Sequence, residues 1–79
     1  GYTMGEKIKD LSTCELKDSK FFIELNHGNK GSGFNIHIQN ELIQFLFKDV
    51  HFIEFAASTA IARKNYLRLK NKGGNLSNE

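Results

Sequence analysis

Lys20-Phe21-Phe22-Ile23-Glu24-Leu25-Asn26 and Phe34-Asn35-Ile36-His37-Ile38-Gln39 are the two runs that decide the fold of this chain, and His27-Gly28-Asn29-Lys30-Gly31-Ser32-Gly33 joins them. In the first run Phe21, Ile23 and Leu25 point one way, and Lys20, Phe22, Glu24 and Asn26 the other. In the second, Phe34, Ile36 and Ile38 face inward while Asn35, His37 and Gln39 face outward. Period-two alternation rich in β-branched and aromatic residues marks strands with one buried face. Three glycines in the joining run permit positive φ and make it a hairpin tip. An antiparallel hairpin over 20–39 is therefore expected.

Working outward, residues 5–19 are polar, with Ile8, Leu11 and Cys14 three apart. That spacing predicts a short amphipathic helix, or an arm packing through Ile8 and Leu11. Residues 1–4 stay outside the fold argument. Downstream, Asn40 is a helix-capping residue type and Glu41 suits the first turn. Leu42, Ile43, Phe45, Leu46 and Phe47 then follow at helical density. Lys48 and Asp49 offer a break, with Asp49 capping a second helix from near Val50. Ala56, Ala57, Ala60, Ile61 and Ala62 favour helix, and Gly73-Gly74 stops it. One continuous helix over 41–71, about 46 Å long, and a strand over 50–55 are the alternatives. The expected fold is α+β: an N-terminal arm (1–19), an antiparallel β-hairpin (20–39), two C-terminal helices in the helical region 40–72, and a polar tail (73–79).

Seventy-nine residues make a single domain. Seven Phe and 39% apolar residues argue for a packed core and against disorder. That core is large for a chain so short, and residues 42–57 are apolar around much of their circumference, so a homodimer is expected. Cys14 is the only cysteine, which rules out an intrachain disulfide and points to a reducing, cytoplasmic setting. No apolar run reaches membrane-spanning length, and no signal peptide is expected.

Charge is placed unevenly. Residues 1–54 sum to −2 and residues 55–79 to +4, the latter from Arg63, Lys64, Arg68, Lys70 and Lys72 against Glu79. At 100° per residue Lys64, Arg68 and Lys72 form one stripe, with Ala62, Tyr66 and Leu69 expected on the opposite, core-facing side. A basic stripe on one element suits phosphate contact, with counterion release supplying affinity. A solvated helix end, where cations favour the dipole, is the bland reading. Asn29, Lys30 and Ser32 put donors on a glycine-rich tip whose backbone can approach a phosphate. Phe22, on an otherwise polar strand face, is suited to stack on a base or to pack under a neighbouring segment. His27, His37, His51 and Cys14 lack ligand-pair spacing, so no metal is expected. No nucleophile motif or paired carboxylates appear, so neither an enzyme, a cofactor nor a small-molecule substrate is expected.

The segment Ser58-Thr59-Ala60-Ile61-Ala62-Arg63-Lys64-Asn65-Tyr66-Leu67-Arg68-Leu69-Lys70-Asn71-Lys72-Gly73 resembles the recognition helix of winged helix-turn-helix proteins. Asn40-Glu41-Leu42-Ile43 after a strand is similar to small winged-helix proteins of bacterial plasmids, among them replication initiators and conjugation accessory proteins. That resemblance implies duplex DNA binding by an accessory or transcription-regulating factor, with Arg63, Lys64, Arg68 and Lys72 on the DNA. Lys30-Gly31, the strand Phe34–Ile38 and Glu41 to Leu46 look similar to dimeric single-strand binders of the positive-cofactor, Pur-alpha and whirly kinds. These place a curved antiparallel sheet before a dimer-forming helix, and they imply single-stranded nucleic acid. Non-enzymatic duplex DNA binding is the expected function, with single-stranded nucleic-acid binding and a protein-interaction module using 42–57 as the alternatives.

Overall fold

The computed structural model describes residues 6–28 and 33–72. Four strands and one helix follow in order: β1 (Lys7–Glu15), β2 (Lys20–His27), β3 (Phe34–Gln39), β4 (Gln44–Lys48) and α1 (Asp49–Asn71). The class is α+β. The strands form one antiparallel sheet in sequence order, each paired with its neighbour in the chain.

The hairpin stands where alternation placed it. Ile23 lies opposite Ile38 and Leu25 opposite Ile36, while Glu24 faces His37 and Asn26 faces Asn35. Its closing bond runs from the Gly28 N–H to the Gly33 carbonyl at 2.9 Å. Gly33 has φ 71°, where a Cβ would be strained. The rest of the tip, with Asn29, Lys30 and Ser32, lies outside the described residues, as do residues 1–5 and 73–79.

Two segments differ from expectation. Residues 7–15 form an edge strand, not a helix or a loose arm. Its pairing with β2 skips a residue twice, at Ile8 and at Leu11. These bulges put Lys7, Asp10 and Thr13 opposite Asn26, Glu24 and Phe22, on one face. A three-residue spacing made by two bulges looks helical in sequence.

The expected first helix is absent from 40–48. Asn40 caps a turn: its Oδ1 accepts from the N–H groups of Leu42 and Ile43, both at 2.8 Å. The chain then returns as β4, with Phe45 opposite Ile38 and Phe47 opposite Ile36. Asp49 starts a single helix, and residues 50–56 and 58–71 run through it without a turn. The two expected C-terminal helices are thus one strand and one helix.

Phe47 joins helix to sheet. Its ring stacks on Phe55 at 4.9 Å and meets Phe52 edge-on at 6.3 Å. Ile36, opposite Phe47, is the buried apolar residue at this contact. The main contacts of α1 are with β4 and β3. Twenty-three residues at 1.5 Å each make a helix of about 34 Å, longer than that contact can cover. Tyr66 and Leu69, expected in the core, are accordingly exposed.

Candidate nucleic-acid interface

The sheet face away from Phe47 is polar and ordered in rows. Lys7, Asn26, Asn35 and Lys48 form one row across all four strands. Asp10, Glu24, His37 and Leu46 form the next, followed by Thr13, Phe22, Gln39 and Gln44. Asn26 and His37 are buried within this face. The expectation that His37 faces outward holds for its direction but not for its exposure, which is 5%. Burial lowers the His37 pKa below the usual range, and the Glu24 carboxylate opposes part of that shift.

This face largely satisfies itself. Lys7 Nζ donates to Asp10 Oδ1 at 3.0 Å, which raises the Lys7 pKa. Lys20 pairs with Glu15 at 3.3 Å, and its ammonium also stands 5.4 Å from the centroid of the Phe22 ring. Gln44 donates to Gln39, and Gln39 Nε2 donates to Glu24 Oε1 at 3.5 Å. Phe22, 37% exposed, is therefore a ring with a cation already beside it. Lysines and carboxylates alternate here, so the face presents little net field to a polyanion.

The end of α1 is different. Arg63, Lys64, Arg68 and Lys70 are all exposed, as is Lys72 just past the last helical residue. None of these five cations pairs with a carboxylate among the described residues. Arg68 Nη2 donates to Asn65 Oδ1 at 2.9 Å, which steadies the guanidinium without neutralising it. The Lys72 N–H reaches the Leu69 carbonyl at 3.2 Å and closes the helix. The stripe of Lys64, Arg68 and Lys72 is thus continuous, while Arg63 and Lys70 stand to its side. It also continues the side of α1 that carries Val50, Ile53, Ala57 and Ile61, a relation the sequence reading missed. Plotting the whole of 49–72 on one wheel, not two, would have found it.

Cys14 is exposed and lies opposite Phe21, on the Phe47 side of the sheet. No group of three metal-ligating side chains occurs among the described residues. No helix among them is long and apolar enough to cross a membrane. No protein-family model, curated protein or solved structure matches the chain.

Proposed function

We propose that this chain is a non-enzymatic DNA-binding protein, accessory or regulatory in role, that works as a homodimer and holds phosphate with the basic end of α1. The observation that carries the reading is the contrast between the two polar surfaces. Two of the three lysines of the sheet face, Lys7 and Lys20, pair with carboxylates, whereas none of the five exposed cations of the helix end does so among the described residues. Such a cluster gathers phosphates by releasing their counterions.

Single-stranded DNA is the favoured form. Residues 50–56 and 58–71 share one unbroken helix, so no turn presents the second half as a separate recognition element. A sheet followed by one helix has the element order of the dimeric single-strand binders. Duplex binding is the alternative reading, in which the stripe tracks one backbone across a groove.

The dimer is supported by how little the protomer covers of itself. Its accessible surface is 6470 Å². A compact 9.0 kDa monomer exposes about 4,900 Å². Its radius of gyration is 16.1 Å, against about 12 Å for a compact chain of this length.

Fluorescence anisotropy on labelled single strand, duplex and RNA across a salt series tests the reading. Single strand should bind most tightly, and log K should fall linearly with log[salt]. Arg68→Ala with Lys72→Ala should flatten that slope by about 1.4 on single strand, or about 1.8 on duplex. An unchanged slope in the double variant, or no binding of any form at low salt, would refute it.

A further inference from the structure

Charge along α1 falls into two blocks. From Asp49 to Ala62 the formal charges are Asp49 and Glu54, and from Arg63 onward they are Arg63, Lys64, Arg68, Lys70 and Lys72. On the side turned away from Phe52 and Phe55, Val50, Ile53, Ala57, Ala60 and Lys64 follow one another at alternating three- and four-residue steps. That is the spacing of a seam between two helices. The seam is uncovered: Val50 is 57% exposed, Ile53 66% and neighbouring Ile61 61%.

We propose that this seam packs against the same seam of a second copy, with the two helices antiparallel and crossing between Ala57 and Ala60. The inference rests on the homodimer reading above and adds which surface, direction and contacts make the dimer. Small side chains at 57, 58 and 60 let the backbones approach at the crossing. A two-fold axis there brings Glu54 beside the partner's Lys64, a contact that occurs twice by symmetry. Val50 meets the partner's Leu67, so apolar residues fill the ends of the seam. A parallel pair would instead set one basic block against the other. A standard interface takes about 800 Å² from each partner, well within the surplus surface of the protomer. Arg63 and Lys70, on the Phe52 side of α1, and Lys72, past its last helical residue, remain free for phosphate.

Charge exchange tests the arrangement, read by sedimentation equilibrium with circular dichroism to check helix content. Glu54→Lys alone, or Lys64→Glu alone, sets like charges at both symmetric contacts. Each should weaken self-association about tenfold or more. Mixed in equal amounts, the two variants should associate as tightly as the wild type, because both contacts then join opposite charges. The double variant E54K/K64E should also self-associate like the wild type. If the single variants dimerise undiminished, or the mixture associates no better than its components, the antiparallel seam is overturned while the dimer stands. A wild-type monomer at micromolar concentration overturns the dimer reading and the seam with it. Should a reversed charge cost helix content, Glu54→Gln and Lys64→Gln serve in a double-mutant cycle. Coupling between 54 and 64 supports the seam, and strict additivity refutes it.

Discussion

His37 couples the polar sheet face to pH. Alternation in Phe34–Gln39 turned it to the outward face correctly, but alternation carries no information on cover. Its lateral neighbours are Glu24 and Leu46, which only the register reveals. Because burial depresses its pKa, the folded state prefers neutral His37. Its stabilising contribution is therefore present above the ordinary His pKa of about 6.5 and is lost as pH falls through the depressed folded value. Urea denaturation should show stability decreasing from pH 7.5 to pH 5, and His37→Gln should flatten that decrease. An identical pH profile in the variant would remove His37 as the cause. Asn40 carries a parallel lesson. Its side chain accepts from the second and third following N–H groups, the same chemistry in a turn as at a helix start. Sequence announced the cap and left open what it capped.

At the level of elements, β2, β3 and the long helical stretch from 49 were legible because each keeps one period throughout. Two strands were not. In β1 the bulges at Ile8 and Leu11 replace alternation with a step of three. In β4, Leu46 sits on the polar face and Leu42 and Ile43 lie in the turn before it, so apolar residues crowd together as in a helix. The candidate site divides the same way: the basic helix end was read from charge alone, while the Asn29–Ser32 tip stays beyond the described residues. The junction between β4 and α1 depends on Phe47. Phe47→Ala should cost about 2 kcal/mol, less than the 3–5 typical of a wholly buried Phe, measured by urea denaturation at fixed protein concentration. The ring is half-buried yet is the piece that Phe52 and Phe55 grip. A change below about 0.5 kcal/mol would mean that α1 is held to the sheet by other contacts.

For the whole molecule, the sequential strand order has a consequence in time. Every strand pairs with the one made just before it, so no pairing must wait for a distant part of the chain. The sheet can close hairpin by hairpin within a single chain, while in the proposed homodimer α1 gains its remaining cover only when two chains meet. Refolding should then split into two phases. The first, followed by sheet signal in far-ultraviolet circular dichroism, should proceed at a rate independent of protein concentration. The second, followed by a fluorophore placed on α1, should accelerate in proportion to concentration, as a bimolecular collision must. A single concentration-independent phase would deny that two chains meet at all. With two phases, partly assembled protomers exist for an interval that dilution lengthens, and in that interval the basic helix ends stand singly. On the proposed function, newly made chains at low abundance would meet nucleic acid first as monomers, and expression level itself would set how soon the proposed pair takes over.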